Sequence, residues 1–244
     1  MRYMNTTPII VVPMAGLGSR FVEAGYKDIK PLIPIFDKPM IEHVVNSVGL
    51  VGDWIFIVQK EHREKYDLDN ILRDIRPGCK VIDTGGGVTE GAACSVLLAE
   101  EFINGGRPLI IINSDNIIGW DAETIFPKFI DSDAVGLILC FKDADPKWSF
   151  ARLGPDGYVL DVAEKDPISD NATAGMYIWK HGYDFVSSAK SMILKNIRVN
   201  NEFYICPVYN ENIEAGQKIS ICMVDSMDGV GTPADLEGYI NKWK

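Results

Sequence analysis

Short, continuously apolar runs alternate with amphipathic stretches through most of the first half of the chain. Ile9 to Val12 is the first such run, Asp53 to Gln59 the second, Pro108 to Asn113 the third and Ala134 to Phe141 the fourth. They are strand-length and lack polar alternation, as strands covered on both faces require. Between them the apolar residues step at helical spacing. Met40, Ile41, Val44, Val45 and Val48 form one stripe, and Asp37-Lys38-Pro39 ahead of it supply an N-cap and an early proline. Glu61 to Ile75 reads as a charged helix with Tyr66, Leu68, Ile71, Leu72 and Ile75 facing inward. Arg76-Pro77-Gly78 ends it, and Cys79 to Ile82 is a short strand. One further helix runs from Glu90-Gly91-Ala92 to about Phe102, and another, Ala122 to Ile130, is capped by Asp121. This order predicts an α/β fold with a mainly parallel central sheet and helices on both faces.

After Phe141 the alternation weakens, which points to a small second lobe within a single domain, 1–244. Gly154-Pro155-Asp156-Gly157 is a hairpin turn, and Tyr158 to Ala163 returns from it as a strand. Ala172 to Trp179 is another strand, with Gly175 inside it, and a glycine within a strand often marks the close approach of a ligand or of another backbone. Helices follow at Tyr183 to Leu194 and Val208 to Ala215, then a strand at Lys218 to Val224. Thr232 caps the last helix with Pro233 in its first turn.

Composition narrows the classes of function. A net charge of −10 argues against bulk nucleic-acid binding but not against a small anion held by a few focused cations. No run reaches the roughly 18–20 apolar residues of a membrane span, and residues 1–8 carry no signal-peptide stretch. The five cysteines are scattered, with no Cys-x-x-Cys pair, so neither a zinc site nor a disulfide framework is expected. A cytoplasmic protein fits these features. Oligomeric state is open.

The candidate chemistry begins where the first strand ends, at Pro13-Met14-Ala15-Gly16-Leu17-Gly18-Ser19-Arg20-Phe21, answered by Lys30-Pro31-Leu32. Glycines let such a loop turn and approach a ligand, and its amides form an anion cradle. Arg20 adds a forked cation and Lys30 a compact one, as a nucleoside triphosphate requires. A dinucleotide fingerprint would need glycine where Phe21 stands, and a P-loop would need Gly-Lys-Ser/Thr. An ordinary strand-to-helix turn is the remaining alternative. Thr84 to Ala93 contains three consecutive glycines and reads equally as a flexible connection or as a base-binding loop. In the second case Gly91 and Ala92 admit a ring and Glu90 accepts from its edge. Asp115 follows the most apolar strand, where α/β sheets bind ligands, so it is placed for a divalent metal; a turn or cap role is the alternative. His43 reads as packed or solvated. Trp148, Phe150 and Tyr177 either line a pocket or belong to the core.

Together these stations resemble the sugar-phosphate nucleotidyltransferases, or NDP-sugar pyrophosphorylases. The motifs are Met14 to Phe21 with Lys30-Pro31-Leu32, Glu90-Gly91-Ala92, Ser114-Asp115, Glu164-Lys165, Ala174 to Tyr177 and Gly231-Thr232-Pro233. Trp148-Ser149-Phe150 and the Asn201–Tyr209 stretch are most similar to the subgroup of capsular polysaccharide gene clusters. The resemblance implies a Rossmann-like, glycosyltransferase-A-type fold. The NTP-binding half would be about 1–141, and the acceptor half with the C-terminal helix about 142–244. It implies an NTP and a sugar 1-phosphate, or a similar phosphorylated acceptor, as partners, and Mg²⁺ as cofactor. Arg20, Lys30, Asp115 and Lys165 would be the catalytic group. Ala15, Gly16, Leu17, Gly18, Ser19 and Arg20 would hold phosphates, with Glu90, Gly91 and Ala92 at the base. Glu164, Lys165, Gly175 and Trp148 would meet the acceptor. Family members commonly carry a second metal-binding Asp two positions before the Gly-Thr pair, where this chain has Gly229. Asp228, one residue earlier, or Asp235 in the following helix is the candidate substitute, with Asp228 preferred; the alternative is a metal that leans on Asp115, phosphates and water. A glycosyltransferase of related fold would carry Asp-x-Asp where this chain has Asp115-Asn116-Ile117. A non-catalytic nucleotide-binding module is the third reading.

Overall fold

The computed structural model describes residues 7–244; what the sequence implies for residues 1–6 lies outside them. The first half runs β1 (Ile9–Pro13), α1 (Ser19–Glu23), β2 (Pro34–Ile35), β3 (Lys38–Pro39), α2 (Met40–Ser47), β4 (Asp53–Val58), α3 (Lys60–Lys65), α4 (Leu68–Ile75) and β5 (Lys80–Asp83). It continues with α5 (Ala92–Leu97), α6 (Glu100–Ile103), β6 (Leu109–Ile112), β7 (Asn116–Gly119), α7 (Ala122–Asp131) and β8 (Gly136–Lys142). The second half adds β9 (Ser149–Leu153), β10 (Val159–Glu164), β11 (Asn171–Trp179), α8 (Gly182–Leu194), α9 (Val208–Glu214), β12 (Ile219–Met223), β13 (Ser226–Gly229) and α10 (Pro233–Lys242).

Among the described residues nine strands make one sheet. Its main path is β10-β9-β11-β6-β1-β4-β5, with β8 on β11 and β12 on β8. The strands β6, β1, β4 and β5 run parallel, as does β12 beside β8. Successive side chains of a strand face opposite ways, and the apolar runs use both faces. Ile9, Val11, Ile55, Ile57 and Ile111 pack in one core with residues of α5, α8 and α9. Ile10, Val12, Phe56, Ile110 and Ile112 pack in another with α2, α4 and α7. The fold is therefore α/β with helices on both faces.

The weaker alternation after Phe141 has a topological cause. The strand β11 is buried at all nine positions and lies antiparallel between β6 and β8, so the later strands extend the same sheet. Gly175, at φ 76°, breaks β11 locally, and the pairing with β8 shifts register between Thr173 and Tyr177.

Three helix boundaries differ from expectation. Asp37 caps nothing: Lys38 and Pro39 pair with Ile35 and Pro34, and α2 begins at Met40. The residue before a proline is driven to extended backbone, which favours the hairpin. The charged helix from Glu61 to Ile75 is broken at Asp67, whose φ of 50° is left-handed; a short polar side chain tolerates that region. The helix expected to reach Phe102 divides at Leu98–Ala99 into α5 and α6. The small sheet of β7 and β13 was not legible as periodicity, because each strand has four residues.

Candidate active site

The loop after β1 leaves the sheet one residue late, with Met14 N donating to Ile57 O at 2.8 Å. Gly18, at φ 61°, then starts α1. A Cβ at Gly18 would sit 3.2 Å from Lys30 Cβ, so the glycine lets the loop lie over the lysine. None of the backbone N–H groups of residues 15–20 donates to a described residue. A row of free amides beside a lysine is suited to phosphate oxygens.

Lys30 Nζ lies 2.8 Å from Asp115 Oδ2, and both side chains are about one-fifth to one-quarter exposed, at 20% and 25%. Asp115 stands just beyond the carboxyl end of β6. Its carbonyl accepts from Val230 N at 2.8 Å, and a Cβ on Gly231 would fall 2.7 Å from its Oδ2. The chain from β13 into α10 thus closes over this carboxylate, and a larger residue at 231 would have to displace it.

Two cavities meet at Asp115. The larger, about 630 Å³, is lined by Ala15 to Ser19, Lys30, Thr89 to Ala92, Asn201, Glu202 and Tyr204 to Cys206. The smaller, about 180 Å³, is lined by Arg20, Lys147, Trp148, Gly229, Thr232 and Asp235. Asn113, Asp115, Ser149, Glu164 and Tyr177 belong to both walls. The loop therefore divides its groups, with the amide cradle and Lys30 on the large cavity and Arg20 on the small one.

Glu164 ends β10 opposite Ser149 at the start of β9, and the Ser149 hydroxyl donates to its carboxylate. Burial pushes this carboxyl above the usual range, while the Ser149 hydrogen bond acts against the rise. Lys165 follows at φ 57° and points to Tyr204, 2.6 Å from its hydroxyl and 4.6 Å from its ring centroid. It lines neither cavity itself; Tyr204 does. Gly175 backs the shared wall, since a Cβ there would meet Asn113 Nδ2 at 2.8 Å. Trp148 lies edge-on to Phe141 at 5.3 Å and donates to Asp143 at 3.2 Å. Phe150 is core. His43 bonds the Ile35 carbonyl at 3.0 Å, away from both cavities.

The stretch Glu90 to Ala93 is stapled rather than free. Phe203 N donates to Glu90 O at 2.9 Å, and Ala93 N donates to Phe203 O at 3.0 Å. A Cβ on Gly91 would stand 2.5 Å from both Phe203 N and Phe203 O, so the glycine makes room for backbone of this chain. The Glu90 carboxylate is engaged by Arg198, whose guanidinium lies 3.9 Å from the Phe203 ring centroid.

Asp228 does not join Asp115. It is held by Lys242 Nζ at 2.6 Å and lines neither cavity. Its neighbour Gly229 faces the small cavity, where a Cβ would be 3.1 Å from the Trp148 ring, and the two-residue period of β13 turns Asp228 the other way. Asp235 reaches the small cavity but accepts from Thr232 Oγ1 at 2.7 Å and pairs with Lys147 at 3.2 Å. No group of three Asp, Glu, His or Cys side chains converges among the described residues. A lone carboxylate beside a row of free amides suits Mg²⁺, which is commonly held by one or two carboxylates plus substrate phosphates. It does not fit an all-protein metal cage.

Several residues were missed by the sequence reading. Gln59 and Asn113 are polar positions just past the ends of central strands, which the strand-end rule for α/β sheets would have flagged, and Asn116 opens β7 three residues further on. Lys147, Tyr204 and Arg198 carried no local signal, because their partners are distant in sequence.

Comparison with known proteins bears on the arrangement. The Nucleotidyl transferase family profile matches residues 8–236. A glucose-1-phosphate thymidylyltransferase of Actinoplanes sp. is 28% identical over 186 residues, covering 72% of this chain and 59% of the relative. One from Xanthomonas campestris is 25% identical over 174 residues, covering 69% and 59%. The chain spans about three-fifths of the length of these curated relatives. Among solved structures, a nucleoside-diphosphate-sugar pyrophosphorylase from Vibrio cholerae superposes with TM-score 0.81 at 25% identity, over 95% of this chain and 99% of that one. A UDP-glucose pyrophosphorylase complexed with UDP-glucose shares the fold, with TM-score 0.76 at 20% identity and 98% of each chain covered. A glycine loop at the end of β1, a lysine–aspartate pair at the end of β6 and a profile match over nearly the whole chain agree: this chain belongs to the nucleotidyl transferase family.

Proposed function

We propose that this protein joins an NTP to a sugar 1-phosphate, or to a similar small phosphorylated acceptor, and releases pyrophosphate. The observation that carries the reading is the Lys30–Asp115 pair at the junction of two cavities, beside a row of free amides. The acceptor phosphate is already a nucleophile, so no general base is needed. What opposes the reaction is the meeting of two polyanions and the charge that builds at the α-phosphorus. Positioned cations answer both.

In this reading the Gly16–Ser19 backbone holds the triphosphate and Lys30 meets the α-phosphate. Arg20, on the small cavity, draws the β- and γ-phosphates toward it, so that pyrophosphate is held as it leaves. Glu90, Gly91 and Ala92 frame the base. Glu164 with Ser149 binds acceptor hydroxyls, Lys165 turns from Tyr204 to the acceptor phosphate, and Gly175 and Trp148 complete that end. Asp115 would hold Mg²⁺, and the ion would supply charge neutralisation at the phosphates. Synthesis of activated sugars for surface polysaccharide, in the cytoplasm where NTPs are made, is the role in keeping with the sequence resemblance.

A matrix of NTPs against sugar 1-phosphates and other small phosphates, read by pyrophosphate release, tests the reading. Turnover with a matched pair, lost when either partner is omitted, is the expected result. Folded protein without turnover on any pair would leave the binding-module reading in its place.

A further inference from the structure

The phosphate loop is shaped from outside by one buried side chain. Gln59 stands just past β4 and is 6% exposed. Its Nε2 donates to two successive carbonyls of the loop, Ala15 O at 2.9 Å and Gly16 O at 3.2 Å. Among the described residues every peptide bond is trans. In a trans peptide the C=O and the N–H point in opposite directions. Drawing the Ala15 and Gly16 carbonyls onto Gln59 therefore turns the Gly16 and Leu17 N–H groups away from it. Gly16 and Leu17 line the large cavity, and neither amide donates to a described residue. Glycine freedom does not account for this geometry at residue 16. Gly16 has no positive φ, and a Cβ added there meets nothing within 4 Å.

We propose that Gln59 is a positioning residue for the triphosphate. It aims two backbone amides at the phosphate oxygens and keeps two carbonyl dipoles off them. The proposal rests on the nucleotidyl transfer reading of the loop. It requires a donor at residue 59, since an acceptor there would repel the same carbonyls and release them toward the anion. The backbone of Gln59 separately accepts from Arg63 N at 2.9 Å, a bond no side-chain change removes.

The test is calorimetric titration of the full chain with inorganic tripolyphosphate and Mg²⁺, which needs neither the base nor the acceptor to be known. Gln59→Leu keeps the bulk and deletes the donor; Gln59→Glu keeps the shape and reverses the polarity. Both are expected to weaken tripolyphosphate by about tenfold or more, the loss when one charge-assisted hydrogen bond is forfeited. Gln59→Glu should be the weaker binder and the less stable variant, because its buried carboxylate faces the same two carbonyls, so affinities are compared below the thermal midpoint of each protein. In the pyrophosphate-release assay KM for the NTP rises while KM for the acceptor does not, a split that a merely structural role would not produce. Tripolyphosphate affinity equal in the parent and in whichever variant folds overturns the role of Gln59 and leaves the enzyme reading standing. A parent chain that neither binds tripolyphosphate nor releases pyrophosphate overturns both.

Discussion

The tightest glycine of the site is Gly91, and replacing it with alanine tests the backbone staple between Glu90–Ala93 and Phe203 directly. The residue has φ 136° and ψ 172°, a region open essentially to glycine alone. Its new methyl would lie 2.5 Å from Phe203 N and from Phe203 O. Neither atom can retreat cheaply, because N donates to Glu90 O and O accepts from Ala93 N. Backbone strain of about 1–3 kcal/mol and two forfeited hydrogen bonds of about 0.5–1.5 kcal/mol each give a penalty of about 2–6 kcal/mol. Release of the strip around Phe203 caps the realised loss, since local opening replaces strain once it is cheaper. Gly87→Ala is the control: it has φ 67° but nothing within 4 Å of a Cβ, so only a left-handed cost of about 1–2 kcal/mol applies. Urea unfolding followed by fluorescence should place Gly91→Ala well below Gly87→Ala in midpoint, and nucleotide affinity should fall with it. Equal midpoints for the two variants would refute the packing argument.

Other outcomes follow from the same geometry. Arg20→Ala should lower turnover by about 10²–10³-fold, the scale for losing one group that meets developing charge, with stability within about 0.5 kcal/mol because the side chain is exposed; near-normal turnover would remove Arg20 from the phosphate site. Asp115→Asn should abolish turnover and its Mg²⁺ dependence, whereas Asp228→Asn, which only breaks the pair with Lys242, should leave both unchanged; equal damage from the two would restore Asp228 as a ligand. For Glu164 the sign is set by burial, which raises the folded carboxyl pKa above the unfolded one. Its contribution to stability is fully present below the unfolded pKa and is lost as pH rises through the folded pKa. Glu164→Gln should flatten that part of the stability–pH curve and be at least as stable as the parent at neutral pH; a mutant curve as steep as the parent's would contradict the burial argument.

What the chain determined locally is clear from particular elements. The runs at Ile9, Asp53 and Pro108 became β1, β4 and β6 because a strand buried on both faces must be apolar throughout, a condition written into every residue of it. Thr232 caps α10 through Asp235 N, as a threonine followed by proline implies, and Asp121 caps α7 through Thr124 N. The loop Met14 to Phe21, Lys30 and Asp115 were legible too, since glycine spacing, charge and position at a strand end are local properties. The tertiary structure alone decided the rest. Lys30 and Asp115 are 85 residues apart, Glu90 and Arg198 are 108 apart, and Gln59 lies 44 from the carbonyl of Ala15 that it holds. Periodicity reports whether a residue is buried, not what lies across from it. Asp228 makes the point most sharply: beside the expected position in sequence, it faces Lys242 because adjacent residues of a strand point opposite ways. Which side of β13 meets the site depends on its pairing with β7, and that pairing exists only once the sheet has placed Asn116 beside Gly229.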